Sequence, residues 1–274
     1  MYYDLATKSF IPAEENNGLK FFYNTFIGRV ILKIFTTKFV ANIARIYYNS
    51  KISKLKIKKF IKKNNINMDE YINEEYSSFN SFFKRNIKKE KRPIAKDGLF
   101  SICDSKLTVY KINKNSSFKI KNSIYTIKEL IGEERKYKYA LVFRLCVDDY
   151  HHYVFPDNGK IVGNRIINGK LHTVQPIAFK RYKVFHENQR EITFLDCENL
   201  GDVCYIEVGA MIVGKIVNEP VESFKRAQEK GHFEFGGSTV IMLINKEIDF
   251  IDDIIRNSED DIETIVKLGE KLSK

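Results

Sequence analysis

The sequence has no stretch approaching the roughly 18 consecutive apolar residues that a membrane span requires. It carries only four cysteines, Cys103, Cys146, Cys197 and Cys204, and no C-x-x-C pair. That argues against a zinc ribbon or a disulfide framework and favours a reducing compartment. The start, MYYDLATKSF, lacks a charged segment followed by an apolar one and a cleavage site, so no secretory signal is expected. Helix-turn-helix, zinc-finger and RNA-binding signatures are missing, so nucleic acid is not an expected partner. There is no H-E-x-x-H motif, and neighbouring strand residues point to opposite faces, so His151 and His152 are not expected to chelate one ion. No metal is expected. Internal repeats and low-complexity segments are likewise absent.

What is present is unevenly distributed. The chain has 274 residues, 43% of them hydrophobic, enough for one large domain or one domain with an appendage. Its net charge is +11, and all of that excess lies in residues 1–100, where 20 Lys and Arg face 9 Asp and Glu. From Phe21 to Tyr48, apolar residues recur at three- and four-residue steps with Arg29, Lys33, Lys38 and Arg45 between them. The spacing predicts an amphipathic helix, or two with a break near TTK. KISKLKIKKFIKK, Lys51 to Lys63, continues the pattern. Two readings stay open for this arm: an ordinary helix facing a core with a wet basic side, or an interfacial helix lying on anionic lipid. Residues 61–95 also read as helical, ending at Arg92-Pro93.

Beyond residue 100 the pattern changes. ALVFRLCV, GKIVGNRII, EITFLDC, DVCYIEVGAMIVGKIV and STVIMLI are short, β-branched and aromatic, and are bounded by turn residues at Asp157-Asn158-Gly159, Asn168-Gly169 and Gly236-Gly237. The expected fold class is α+β. A basic helical arm, residues 1–95, sits on a β-rich, sandwich or barrel-like body, residues 96–274.

All five histidines fall in the body. His151 and His152, in DDYHHYVFPDNG, stand at a strand terminus beside Asp149, where acid-base chemistry is a stronger expectation than for a lone histidine. The other notable stretch is FEFGGSTVI, Phe233 to Ile241. A Gly-Gly-Ser inside a strand pattern is by local rules a bulge or tight bend. It also leaves the Gly237 carbonyl unshielded beside a hydroxyl. Ser238 Oγ can add to that carbonyl carbon, a base takes the proton, and an acyl shift from nitrogen to oxygen gives an ester. β-Elimination then yields dehydroalanine, which hydrolyses to a pyruvoyl group.

The segments YNTFIGRVILKIFTTKFVANIARIYYNSKISK, FNSFFKRNIKKEKRPI, DYHHYVFPDNGKI, LHTVQPIAFKRYKVFHENQREITFL, GDVCYIEVGAMIVGKI and EKGHFEFGGSTVIML, in this order and over nearly the whole chain, resemble the phosphatidylserine decarboxylases, in particular bacterial forms with a Gly-Gly-Ser-Thr processing site. The resemblance implies a self-processing carboxy-lyase cleaved between Gly237 and Ser238 into residues 1–237 and 238–274, which stay associated. It implies a pyruvoyl cofactor made from Ser238, whose ketone forms a Schiff base with the substrate amine as phosphatidylserine becomes phosphatidylethanolamine and CO2. Asp104, in ICDSKL, takes the place of the family's aspartate that orients the histidine base. His151 takes that of the acid that reprotonates the carbanion. His172, in LHTVQPI, is expected near the substrate head group. A peripheral site on the cytoplasmic face of an anionic membrane follows, and homo-oligomer formation stays open.

Two positions depart from the family pattern. Val154 stands where many members have a second histidine, the base for self-cleavage, and Ser105 stands where they have glycine. Three consequences follow in order of preference: His151 serves both steps, His152 reaches across, or the chain processes poorly. Two further readings are a processing-deficient, β-rich membrane-binding homologue and a pyruvoyl enzyme for a soluble amino acid.

Overall fold

The computed structural model describes residues 1–13, 17–120, 123–211, 215–236 and 238–274. In chain order the strands are β1 (Tyr2–Asp4), β2 (Ser9–Ile11), β3 (Ser105–Lys111), β4 (Ser117–Ile120), β5 (Ser123–Thr126), β6 (Tyr139–Leu145), β7 (His152–Val154), β8 (Gly159–Ile167), β9 (Arg190–Cys197), β10 (Gly201–Val208), β11 (Ile216–Asn218), β12 (Ser223–Phe224), β13 (Glu229–Phe233), β14 (Ser238–Ile244) and β15 (Glu263–Val266). The helices are α1 (Asn17–Asn24), α2 (Phe26–Phe35), α3 (Lys38–Asn49), α4 (Ile57–Lys63), α5 (Phe79–Phe83), α6 (Ile127–Ile131), α7 (Val184–Glu187) and α8 (Asp252–Glu259).

The arm breaks where threonines take over orphan helix-start amides. Thr25 Oγ1 accepts from Gly28 N at 2.9 Å and opens α2, and Thr37 Oγ1 accepts from Val40 N at 3.5 Å and opens α3. The expected break at TTK is present. Burial in these helices is inverted relative to a core-facing helix. Gly28, Leu32 and Ala41 turn inward, whereas Phe26, Ile27, Ile34, Phe39, Ile46 and, in the following 3-10 turn, Leu55 are 61% to 83% exposed. Polar contacts pin α1 through α3 to the body. Leu171 N donates to Thr36 O (3.0 Å), Lys38 Nζ to Asn168 Oδ1 (2.7 Å), and Thr173 N to the buried Tyr23 hydroxyl (3.0 Å).

Beyond α4, residues 64–95 depart from the helical reading. Only α5 is α-helical there, flanked by 3-10 turns at Met68–Glu70 and Lys89–Lys91 and an isolated bridge between Tyr71 and Ile87. Ser78 and Ser81 close a capping box at its start, and Phe79, Phe82 and Phe83 are all buried. Packing of three aromatic rings, rather than a repeating apolar stripe, fixes this segment.

The body is a ten-stranded sheet in the order β12-β8-β9-β10-β14-β6-β3-β15-β1-β2, with a three-stranded sheet β11-β13-β7 and a hairpin β4-β5. The pair β1–β15 is parallel, and β1 and β2 belong to an edge of the large sheet, so the helical arm proper begins at Asn17. The small sheet packs on β10, with the Tyr153 ring 6.0 Å from that of Tyr205. Strand β14 runs inside the large sheet between β10 and β6, and every one of its residues is buried. The chain therefore crosses between sheets here: it leaves β13 in the small sheet at Phe233 and enters β14 in the interior of the large one at Ser238.

Candidate active site

Ser238 is the first residue of β14, opposite Leu145 of β6. Its side chain is completely buried and its Oγ has no hydrogen-bond partner among the described residues. A buried hydroxyl left unpaired costs free energy and calls for an explanation. Gly237 lies outside the described residues. Gly236 before it has φ +135°, a backbone conformation open to glycine and strained for other residues. The segment is clamped from the arm side: Phe235 N donates to Asn80 Oδ1 at 3.1 Å, and its ring meets Tyr48 of α3 at 4.1 Å and Phe83 at 5.1 Å.

His151 is brought to the same region. Phe83 covers its ring at 4.2 Å, and its carbonyl accepts from Phe233 N at 3.0 Å. Its Nδ1 is 2.9 Å from the Asp149 main-chain oxygen. A carbonyl only accepts, so Nδ1 carries the proton and Nε2 presents a lone pair. That Nε2 is buried and has no partner among the described residues. Burial pushes the His151 pKa down to about 4, assisted by the charge of Arg85 and opposed by the carbonyl bond and Asp149. The imidazole is thus neutral at pH 7, with a free acceptor nitrogen, the form a general base needs.

Asp104 stands elsewhere in the charge pattern than its expected role requires. Its carboxylate accepts from Arg92 Nε (2.9 Å) and Nη2 (2.7 Å), Lys267 Nζ (3.3 Å) and Leu268 N (2.8 Å). Among the described residues it makes no hydrogen bond to a histidine, and the group on His151 Nδ1 is the Asp149 carbonyl. The Asp149 carboxylate is pushed up by burial, yet Lys106 at 2.7 Å and Lys267 at 4.0 Å hold it down at about 2. Asp104 and Asp149 therefore share Lys267.

His152 faces away from this point. Its Nδ1 meets Glu229 Oε1 at 2.8 Å, its Nε2 meets Lys84 O at 3.1 Å, and its ring stacks between Tyr150 (4.6 Å) and His232 (5.0 Å). Both nitrogens are engaged, which weighs against its reaching across to replace the histidine absent at Val154. Sequence reasoning missed the cluster around it. His232 lies opposite His152 across β13 and β7, and a bulge between Glu229 and Gly231 turns Glu229 onto the same face. Donor atoms of His152, Glu229 and His232 lie within 4.8 Å of one another.

His172 is set apart from His151, at the junction of arm and body. It stacks on Tyr182 at 4.2 Å, and its Nδ1 is 3.4 Å from the hydroxyl of Tyr23 in α1. Burial lowers its pKa to about 4.

A second buried pair shares the sheet face of Ser238. Glu207 lies opposite Val240, and Val240 points the same way as Ser238 two residues before it. Lys230 of β13 reaches Glu207 from the small sheet and also donates to Asn218 Oδ1 at 2.9 Å. Burial raises the Glu207 pKa to about 7 against the pull of Lys230. No local motif marks this pair, because its members are 23 residues apart on different sheets.

Phe83 touches both the His151 ring and Phe235, three residues before Ser238, and a buried hydroxyl with a neutral imidazole is the kind of pair that acyl chemistry at a backbone carbonyl uses. The family model described as phosphatidylserine decarboxylase matches residues 79–274, and the chain belongs to that family. It is 47% identical over 269 residues to "Phosphatidylserine decarboxylase proenzyme 2" of Clostridium acetobutylicum, covering 95% of this chain and 92% of that one. It is 38% identical to the "Phosphatidylserine decarboxylase proenzyme" of Clostridium tetani, with 100% and 97% covered. The protein of that name from Clostridium perfringens is 35% identical, with 98% of each chain covered.

Proposed function

We propose that the chain cleaves itself between Gly237 and Ser238 and then decarboxylates phosphatidylserine to phosphatidylethanolamine and CO2. The observation that carries this reading is the completely buried Ser238 Oγ at the head of β14, without a partner among the described residues, in a chain whose relatives are named as proenzymes of this activity. In the cleavage step Oγ attacks the Gly237 carbonyl carbon, and His151, neutral with Nε2 free, takes the hydroxyl proton. Of the three consequences considered for Val154, this geometry favours His151 serving both steps.

Once formed, the pyruvoyl group at Ser238 supplies the electron sink for the departing carboxylate. The site fits such a group, since Oγ leaves with the Gly237 carboxylate when the Cβ–Oγ bond breaks, so the buried, unpaired hydroxyl is gone once water has replaced the nitrogen on Cα with the ketone oxygen. His151, placed beside the segment that leads to Ser238, returns a proton to the substrate carbon after CO2 leaves. The surrounding phenylalanines, Phe83 and Phe235, keep water from competing for that proton.

The arm brings this site to lipid. Among the described residues no helix is long and apolar enough to cross a membrane. The exposed Phe26, Ile34, Phe39 and Ile46 alternate with Arg29, Lys33, Lys38 and Arg45, so apolar side chains enter the interface while cations meet acidic headgroups. The protein is then peripheral, on the anionic cytoplasmic face of the membrane. Tyr48 of α3 touches Phe235, three residues before Ser238, so the lipid-facing arm and the processing site share a contact.

The test is decarboxylation of phosphatidylserine in mixed vesicles by the purified chain and by Ser238→Ala. Release of CO2 by the unaltered protein alone supports the reading. Equal release by both, or by neither, removes Ser238 or the activity from it.

A further inference from the structure

The buried cations of the described chain are satisfied with one exception. Arg92 pairs with Asp104, Lys106 with Asp149, Arg144 with Glu263 and Lys230 with Glu207. Arg190 has no carboxylate, but its three nitrogens donate to the carbonyls of Leu130, His186, Asn188 and Glu129. Arg85 is different. It is fully buried, and among the described residues no carboxylate comes within 4.0 Å of it. Its guanidinium lies over the rings of Tyr71 (4.2 Å) and Phe82 (4.8 Å). Nη2 donates to the Tyr71 hydroxyl at 3.1 Å and to Asp148 O at 3.4 Å, while Nε and Nη1 have no acceptor among the described residues.

A buried charge without a counter-ion is costly, and aromatic faces offset only part of that cost. The arrangement is one half of an ion pair. Its place in the fold says what the other half is for. Asp148 O holds Arg85, and the next carbonyl, Asp149 O, holds His151. Phe82 faces the guanidinium, and the next residue, Phe83, covers the His151 ring. Arg85 and His151 thus hang from adjacent points of the same loop and the same helix, each with empty hydrogen-bonding capacity.

From this geometry we propose that Arg85 is the anion receptor of the active site and takes the phosphodiester of the lipid headgroup. The assignment rests on the decarboxylase reading for the identity of the substrate. That substrate carries two anions, and the reaction chooses between them. A cation fixed on the carboxylate would stabilise the charge that must be lost as CO2, and so would favour the ground state over the transition state. The phosphodiester keeps its charge throughout, so a cation there anchors the substrate without opposing the chemistry. The Arg85 charge also helps to keep His151 unprotonated. An anion bound at Arg85 offsets that charge, so His151 accepts a proton more readily with substrate in place, as the acid step requires.

The experiment is thermal unfolding of the purified enzyme, Arg85→Met and Arg85→Lys, with glycerophosphoethanolamine, glycerophosphoserine, L-serine and inorganic phosphate in turn. Both glycerophosphodiesters should raise the Tm of the unaltered enzyme by mass action, and L-serine should not. Arg85→Met should lose those shifts while unfolding no lower than the unaltered enzyme, because an uncompensated buried charge has gone. Arg85→Lys should keep part of the shift. With vesicle substrate, Arg85→Met should raise KM roughly tenfold or more with kcat changed far less, the signature of lost uniform binding.

Unchanged diester shifts in Arg85→Met would overturn the proposal and leave Arg85 as a packing element, all the more so if that variant also unfolds earlier. Shifts by L-serine and glycerophosphoserine but not by glycerophosphoethanolamine would overturn it in favour of a carboxylate receptor. A shift by inorganic phosphate alone would overturn it in favour of a free-phosphate site. Diester binding through Arg85 by a chain that neither cleaves nor decarboxylates would uphold the receptor and sink the decarboxylase reading instead.

Discussion

At the scale of single residues, the proposed chemistry depends on a His151 ring that burial keeps neutral. A histidine whose pKa falls to about 4 on folding binds fewer protons when folded than when unfolded. Its contribution to stability is complete above pH 6.5 and is lost as the pH falls from 6.5 towards 4, which for His151 amounts to about 3 kcal/mol. His172 and His232 are shifted the same way by burial and act in the same window. The Tm should therefore fall steeply between pH 6.5 and 4, and His151→Phe should flatten part of that fall; an unchanged slope in the variant would remove His151 from the account. Asp104 makes a different prediction. Asp104→Asn breaks a buried pair with Arg92 and should cost about 3 to 5 kcal/mol of stability. A variant that unfolds normally yet fails to cleave would instead place Asp104 in the chemistry.

At the scale of elements, the arm and β14 pull the sequence pattern in opposite directions. The arm spends its apolar residues on solvent, so Phe39→Ser, Ile46→Ser or Leu55→Ser should change unfolding free energy by no more than about 0.5 kcal/mol. The same changes should weaken binding to phosphatidylserine vesicles, as measured by flotation. Neutralising Lys51, Lys54, Lys58 and Lys59 should weaken it further at low salt, by about 1 kcal/mol per charge close to the surface. Binding that ignores both sets would return the arm to an ordinary protein-facing role. The helical period of the arm and its break at Thr36-Thr37 were legible in the sequence, because capping and amphipathicity are local. Which way the stripe faces was not, since the pattern is identical for a core and for a lipid surface. The same limit applies to FEFGGSTVI. The interruption was readable from its glycines, but its nature as a crossover between two sheets depends on pairing partners such as Leu145, far away in the chain. Asp104 was assigned from motif position alone, whereas its contacts are set by Arg92 and Lys267, the latter from the other end of the sequence. Arg85 carried no local signal, because an unpaired charge is recognised only when its surroundings are seen.

At the scale of the whole molecule, the arm, the α5 aromatics, the small sheet and the central strand converge on the segment before Ser238. Asn49 of the arm bonds Asn80, and Asn80 bonds the amide of Phe235. This convergence frames the proposed break between Gly237 and Ser238. The most direct test is the intact mass of freshly purified protein under denaturing conditions, before and after treatment with a carbonyl-reactive hydrazine. Two chains, residues 1–237 and 238–274, with the smaller one gaining the hydrazone mass, are the result the account predicts. One unreactive chain of 32.1 kDa would contradict it, because Ser238 would then have made neither the cut nor the cofactor.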